Sequence, residues 1–169
     1  MSGKKALGVG QVFIFIVAAI TFALIMIFGY KAISDFISKG ENVQFYQFKT
    51  GVENEFQRIY TEYGSVRVQT FSLPGRYKQI CFVDLDDSAA PLEGLCAKDQ
   101  VACSVWTDAR ERGGYAAADE NVFLTPAAPT KIKVRPLSAD NGFLCVNVVG
   151  GKFQLVIEGR GDHAEISLP

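Results

Sequence analysis

The chain has 169 residues, of which 49% are apolar, 17 are basic and 18 are acidic. This length allows one ordinary domain with a short additional segment and argues against two full domains. The net charge of −1 argues against binding to nucleic-acid phosphates, because that binding needs clustered Lys and Arg.

The first predicted element is an apolar helix close to the N-terminus. Residues 6–30 include no charged side chain, and their apolar residues fall on every side of a helix. About 20 apolar residues at ~1.5 Å each cross the hydrocarbon core of a bilayer, and the run 12–28 with its flanks has that length. A cleaved secretory signal has a shorter apolar part of ~7–15 residues. We therefore predict a retained membrane anchor with Lys4 and Lys5 in the cytoplasm, because basic residues resist translocation.

Helical spacing continues beyond the apolar run. Residues 31–39 keep three apolar side chains at helical spacing, and Gly40 is expected to interrupt the helix. Further along the chain, apolar residues recur at intervals of three and four up to about Tyr63, with charged residues on the other faces. The members of this stripe before Tyr63 are Phe45, Phe48, Val52, Phe56 and Ile59. The pattern predicts an amphipathic helix over 43–63 whose aromatic stripe packs on a sheet.

From Ser65 onwards the apolar period changes to two, which predicts strands. The predicted strands are 66–70, 77–84, 131–135, 143–149, 152–158 and a short one at 164–168. Gly150 and Gly151 are predicted to form the two-residue turn of a β-hairpin. Residues 85–121 show no clear period and are predicted to be an insertion or loop region. The predicted fold class is α+β, with a long N-terminal hydrophobic helix followed by an amphipathic helix packed on an antiparallel β-sheet head.

The four cysteines all follow the predicted anchor, in a part of the chain that is expected outside the cytoplasm. An oxidising exterior favours two disulfides, for which three pairings are possible. We favour Cys96 with Cys103, closing a short surface loop, and Cys81 with Cys145, joining two strands, although the sequence alone does not decide between the pairings. No CxxC pair occurs, so a zinc site is not predicted.

The best candidate for catalysis is the apolar run 80–83 followed by Asp84, Asp86 and Asp87. It resembles the first motif of haloacid-dehalogenase-type phosphatases, in which Asp-x-Asp holds magnesium and its first carboxylate attacks phosphorus. That motif needs a parallel sheet, whereas the pattern here is antiparallel. Solvated acids at a strand end, or a weak calcium site, are therefore the favoured interpretations. We predict no enzyme, no catalytic residue, no cofactor and no assigned metal site.

Two short sequences are given no function. Arg160-Gly161-Asp162 matches an integrin-binding tripeptide, but three residues match often by chance. His163, the only histidine, has no Ser or Cys partner in a nucleophile motif.

The order of parts along the chain resembles that of type IV pilin-like proteins, especially archaeal ones with class III signal peptides. The resemblance is carried by Lys4-Lys5, the pair Gly10-Gln11, the apolar run 12–28 and the helix that leads into a β-rich head. It implies that a membrane peptidase cuts after Gly10 on the cytoplasmic side, leaving Gln11 as the first residue. It also implies that the freed helix packs with its copies in a filament core.

The resemblance and the apolar pattern together divide the chain into four parts. Residues 1–11 are a cytoplasmic basic leader, 12–30 a transmembrane or filament-core helix, 31–63 a helical extension and 64–169 an extracytoplasmic β-rich domain. Four phenylalanines in the second part are expected to serve packing between helices: Phe13, Phe15, Phe22 and Phe28.

The predicted function is a pilin-like structural subunit of a cell-surface filament. Its expected partners are further copies of the chain, through the N-terminal helix, and membrane lipid, with no nucleic acid. The alternative is an uncut single-pass membrane protein that displays its extracytoplasmic β-domain for binding or adhesion to a surface ligand. The mature N-terminus distinguishes the two.

Overall fold

The computed structural model describes residues 5–87 and 92–169, and the fold is α+β as predicted. In chain order the elements are α1 (Lys5–Tyr60), β1 (Val66–Ser72), β2 (Gln79–Val83), α2 (Leu92–Lys98), α3 (Gln100–Arg112), a 3₁₀ turn (Gly114–Ala116), β3 (Val122–Thr125), β4 (Leu137–Ser138), β5 (Phe143–Asn147), β6 (Lys152–Gly159) and β7 (Ala164–Ser167). The strands form a four-stranded sheet A, in the order β1-β6-β7-β4, and a three-stranded sheet B, in the order β3-β2-β5.

Helix α1 crosses the boundary between two compact units, one ending at Val43 and the other running from Gln44 to Pro169. The predicted interruption at Gly40 is wrong, because the helix continues through this residue. A single glycine inside a helix costs only ~1 kcal/mol relative to alanine, which hydrogen bonds on both sides can offset. The helix ends at Tyr60, slightly before the predicted end, and a turn with Gly64 at a φ of 75° leads into β1.

The stripe predicted on the second part of α1 is confirmed as part of the core. Phe45, Val52, Phe56 and Ile59 are fully buried, and Phe48 nearly so. The ring of Phe56 stacks on that of Phe82 in β2, with ring centroids 5.8 Å apart. Stacked and edge-to-face aromatic pairs add to the free energy gained from burying their area. The aromatic stripe therefore joins the helix to the sheets of the second unit.

Strand β1 is an edge strand of sheet A and pairs antiparallel with β6 along its full length. Its alternation is as predicted, but Val66 and Val68 are the exposed residues. Arg67 and Gln69 lie on the opposite face, where Arg67 donates to Glu62 at 2.6 Å and Gln69 donates to Glu55 at 2.8 Å. The inner face of this strand is therefore partly polar.

The predicted two-residue turn at Gly150 and Gly151 is present, but the hairpin does not extend beyond it, because β5 belongs to sheet B and β6 to sheet A. Both glycines have positive φ, of 60° and 73°, and a single bridge between Val149 and Lys152 closes the turn. A Cβ on Gly151 would lie 2.8 Å from the carbonyl oxygen of Leu73. The two glycines thus carry the chain around a tight corner from one sheet to the other.

The strand predicted at 131–135 is reduced to one isolated bridge between Ile132 and Val122. Ile132 and Val134 are buried as the alternation suggests. The backbone of Val134, however, is hydrogen-bonded to a side chain and not to a neighbouring strand. The buried amide of Asn121 accepts from the Val134 N–H at 2.8 Å and donates to the Val134 carbonyl at 3.3 Å. The segment is extended without a full ladder.

The prediction of an insertion or loop over 85–121 is also wrong in large part, since α2 and α3 lie there; residues 88–91 are outside the described part of the chain. The side chain of Asp99 accepts from the N–H groups of Val101 and Ala102 and caps the N-terminus of α3. Gly113, at a φ of 112°, ends the same helix. Helix α3 buries Trp106 and two alanines.

Two clusters of buried side chains lie on opposite faces of sheet B. Ile80 and Phe82 of β2 point into the cluster that holds the aromatic stripe of α1 and the inner face of sheet A. Cys81 and Val83 point the other way, into a smaller cluster formed with α2 and α3. Alternate side chains of β2 thus contribute to two different cores, as expected of a strand that is covered on both faces.

Candidate functional site

The most unusual surface of the described chain is the first part of α1. Every side chain in the range 12–28 is exposed, although only Thr21 among them is polar. By length and composition this is one helix able to cross a membrane, and none of its most apolar part is buried. A helix that is apolar all round needs lipid or other apolar surface around it.

Thr21 does not interrupt this apolar surface. Its hydroxyl donates to the carbonyl oxygen of Val17 at 2.6 Å, with the carbonyl of Ala18 at 3.1 Å. A hydroxyl that bonds back to its own helix leaves no unsatisfied donor, which matters in an environment without water.

The four phenylalanines expected to serve assembly are all exposed, Phe22 for example to 66%. At 100° per residue, Phe15 and Phe22 share one side of the helix, whereas Phe13 and Phe28 lie on other sides. The helix therefore presents aromatic rings around much of its circumference and does not gather them on one stripe. Their role in packing stays a prediction.

Gly10 and Gln11, the expected processing site, lie within α1 and are exposed. An added Cβ at Gly10 would meet nothing within 4 Å. Lys4 lies outside the described residues, and nothing is described of the side chain of Lys5. Cutting at Gly10 stays a prediction.

Both favoured disulfides are confirmed. Cys81 and Cys145 are directly opposed on β2 and β5, and their sulfurs are 2.00 Å apart. Cys96 and Cys103 join α2 to α3 at 1.99 Å. Both bonds lie in or beside the smaller core, and such bonds persist in oxidising compartments.

The acidic residues after β2 are used for local structure. The carboxylate of Asp84 accepts from the N–H groups of Asp86 at 3.0 Å and Asp87 at 3.2 Å, while Asp86 accepts from the Tyr115 N–H at 2.9 Å. Burial raises the pKa of Asp84, against the lowering effect of these N–H groups. Trp106 donates to the Asp84 carbonyl at 3.0 Å. No group of three or more metal-ligating side chains occurs within 5–87 and 92–169.

The strand context of these acids also differs from that of the phosphatase motif. β2 is the central strand of sheet B and is antiparallel to both neighbours. The Asp-x-Asp motif of those phosphatases follows a parallel strand.

The tripeptide Arg160-Gly161-Asp162 lies in the turn between β6 and β7, with Gly161 at a φ of 92°. The guanidinium of Arg160 pairs with Glu158 at 3.1 Å and with Glu165. His163 lies 2.6 Å from Asp162. The two charged side chains of the tripeptide are thus paired with residues in and beside the turn.

The head also has a groove of about 530 Å³ beside β3, which the sequence did not indicate. Asp99 and Glu120 contribute acidic groups, Lys131 a basic one, and Phe123 part of an apolar wall. Burial raises the pKa of Glu120, while Lys131 opposes this effect and is itself paired with a neighbouring aspartate at 3.0 Å. These residues come from separate stretches of the chain, so no local pattern could reveal the groove.

In comparisons with known proteins, no family model, no curated protein and no solved structure matches the chain.

Proposed function

We propose that the chain is a pilin-like structural subunit of a cell-surface filament, assembling through the apolar part of α1. One observation carries the proposal. A single helix is apolar and exposed over 12–28, and the same helix supplies the buried stripe of a disulfide-bonded head. No loop separates the apolar part from the head. This order of parts supports a subunit that assembles through its apolar segment and carries a folded head.

The apolar part of α1 needs another apolar environment when it leaves lipid. Exposing apolar surface to water costs ~25 cal/mol per Å². The apolar part of α1 can therefore leave a bilayer only if copies of itself cover the same Val, Ile and Phe side chains. A filament core of parallel helices provides that cover, and the disulfides suit a head outside the cytoplasm.

The test is the mature N-terminus together with the fraction in which the protein is found. Mass spectrometry of native material should find Gln11 first, and shearing cells should release filaments that contain the protein. Gly10→Leu should block cutting and abolish the filaments while leaving the protein in the membrane. Gly10→Ala keeps a small residue and serves as the matched control.

The second candidate is an uncut single-pass membrane protein that displays its head for binding. It is favoured by the groove of about 530 Å³ beside β3, a volume typical of ligand sites. On this candidate Lys4 and Lys5 remain in the mature protein, and all of the protein stays in the membrane fraction. If Gly10→Leu and the parent behave identically in both fractions, the filament proposal fails.

A further inference from the structure

The groove beside β3 lies at an edge of sheet B. Strand β3 is the outer strand of that sheet, and residues 122–125 form one wall of the groove. A bridge between Val122 and Ile132 covers the beginning of this edge. Residues 123–131 form the loop that the bridge closes, and both sides of this loop line the groove. The groove therefore lies where a further strand would pair with β3.

The backbone of Leu124 is directed towards this groove. Strand β3 bonds to β2 through every second residue, since the Asn121 carbonyl accepts from the Val83 N–H at 3.0 Å. The N–H and C=O groups of Val122 and Leu124 therefore point away from β2. Val122 donates across the bridge at 3.2 Å, whereas the outward groups of Leu124 have no hydrogen bond in the described part of the chain. Leu124 is only 4% exposed, and a buried backbone group without a partner costs free energy.

Two side chains in the walls of the groove also lack hydrogen-bond partners. Among the described residues, none forms a hydrogen bond or an ion pair with the partly buried carboxyl of Glu120. The hydroxyl oxygen of Thr130 is buried and has no hydrogen-bond partner there either. Native structures leave few buried polar groups unsatisfied. Three groups of this kind around one groove indicate a ligand that supplies donors and acceptors.

The charges around Glu120 favour a cation. Asp99 and Asp119 both act on this carboxyl, and burial raises its pKa further. Lys131 opposes them, but its ammonium group is paired with Asp119 at 3.0 Å. Lys98, the other basic residue of the groove, lies over a phenylalanine ring of β5, with Nζ 5.5 Å from the ring centroid. An incoming basic side chain would therefore find an acidic partner that is not already paired.

We propose that the groove beside β3 binds an extended, basic segment of another protein, whose backbone pairs with Leu124 and whose Lys or Arg side chain pairs with Glu120. Residues 122–125 span about 13 Å, which suits about four extended residues. Peptides that add to a sheet edge gain affinity from backbone hydrogen bonds and specificity from their side chains. The inference goes beyond the proposed function, because it holds for a head in a filament and for a head on an uncut anchor.

NMR of the full chain in detergent tests the site. The protein carries isotope-labelled leucine, and the Leu124 amide signal is identified by its absence in Leu124→Val. The probe is acetyl-Thr-Lys-Thr-Lys-Thr-amide, whose alternation places its basic side chains on one face. Binding should shift the Leu124 amide proton downfield and slow its exchange with solvent. An unchanged Leu124 signal at millimolar probe would overturn the proposal.

Two altered probes separate backbone pairing from charge. Acetyl-Thr-Glu-Thr-Glu-Thr-amide has the same backbone without the cations, and the basic probe methylated at every backbone nitrogen has the cations without the donors. Each should bind at least about tenfold more weakly than the first probe. Equal affinity of the acidic probe would overturn the pairing with Glu120, and equal affinity of the methylated probe would overturn the pairing with Leu124.

A pair of variants tests the acidic partner. Glu120→Gln keeps the shape of the side chain and removes its charge, so the affinity for the basic probe should fall about tenfold. Glu111→Gln removes the same charge from an exposed position on α3 that does not line the groove, and the affinity should not change. Equal affinities of the two variants would contradict the proposal.

Other occupants of the groove give different results. If n-butylamine shifts the Leu124 signal as strongly as the basic probe, the groove is a site for amines and the proposal fails. If the signal shifts when the protein alone is concentrated, the occupant is a second copy and the proposal fails as well. None of these outcomes depends on cutting at Gly10, so failure here leaves the filament proposal standing.

Discussion

Two stretches of α1 are both rich in apolar residues but differ in exposure. In the range 12–28 no side chain is buried, whereas Phe45, Val52, Phe56 and Ile59 are fully buried. The first stretch is apolar on all sides, while the second concentrates its apolar residues on one stripe, with charges elsewhere. A one-sided stripe can be covered by the chain's own sheets. An all-round apolar surface needs cover from lipid or from other molecules, and this is why the two stretches call for different experiments.

The largest effect should follow removal of a buried ring from the second stretch. Phe56→Ala leaves Phe82 without its stacking partner, and truncating a buried Phe costs ~3–5 kcal/mol. Urea unfolding of fragment 41–169, followed by circular dichroism, should show a large loss of stability or no folded protein.

The matched control for this change is Asn54→Ala, because Asn54 is exposed on the same helix. Glu55 is a less suitable control, because it accepts from Arg58 at 2.7 Å and from Gln69 at 2.8 Å, and its removal would also break a link to β1. Equal small effects of Phe56→Ala and Asn54→Ala would show that the helix does not contribute to the core.

The disulfides should differ in their contribution to head stability. In the chain-entropy account, a bond closing a separation of 64 residues contributes about 4 kcal/mol, and one closing 7 residues about 2 kcal/mol. Replacing Cys81 and Cys145 together by Ala should therefore lower the urea midpoint of the fragment more than replacing Cys96 and Cys103. Alkylation of the folded parent without reductant should modify no thiol; modification of all four cysteines would refute the disulfide model.

A smaller effect is expected from the titration of Asp84. Burial raises its pKa above the ordinary value of 3.8, against its backbone hydrogen bonds. The folded head then holds this proton more tightly than the unfolded chain, so the contribution of Asp84 to stability falls as pH rises above 3.8. Asp84→Asn keeps an oxygen acceptor for the Asp86 and Asp87 N–H groups and cannot titrate.

The measurement is the free energy of unfolding of the fragment at about pH 4 and about pH 7, in parent and variant. The parent should lose more stability than Asp84→Asn between the two values. An identical change in both proteins would show that Asp84 does not titrate differently in the folded head.

The smallest effect on head stability is expected from the first stretch. Phe22→Ala removes an exposed ring from α1, so the urea midpoint of the head in the full chain in detergent should not change. The yield of sheared filaments should fall, because the ring is proposed to contact other copies. A lower urea midpoint in Phe22→Ala would show that the first stretch contributes to the stability of the head, against the comparison made here between the two stretches.

Several elements could be read from the sequence because the pattern was local. The spacing of three and four from Phe45 to Ile59 identified the buried stripe, and the favoured cysteine pairs are the observed ones. Helix α3 was missed, although Ala102, Val105, Trp106 and Ala109 have helical spacing and Asp99 precedes them as a cap. Because most residues of α3 are polar or as small as alanine, its helical spacing of apolar residues is weak in the sequence.

Other features depend on which partner the fold supplies, and no local pattern contains that information. Val66 and Val68 are exposed while Arg67 lies on the opposite face of β1, where Glu62 in the turn after α1 accepts its hydrogen bond. Gly150 and Gly151 have the composition of a hairpin turn, but the strands on either side pair in different sheets. The groove beside β3 likewise arises only when separate stretches meet.

The bond between Cys81 and Cys145 has a mechanical consequence. Strands β1 and β6 lie outside the loop that it closes, whereas α2, α3 and β3 lie inside. When tension is applied to the two ends of the head, the 64 residues of separation cannot be drawn out, which removes ~220 Å of possible extension. Under load, sheet A can come apart by separation of β1 from β6. The disulfide still holds β2 to β5 beside the smaller core. The unfolded head is therefore shorter than it would be without the bond, and its ends have less distance to cover when it refolds.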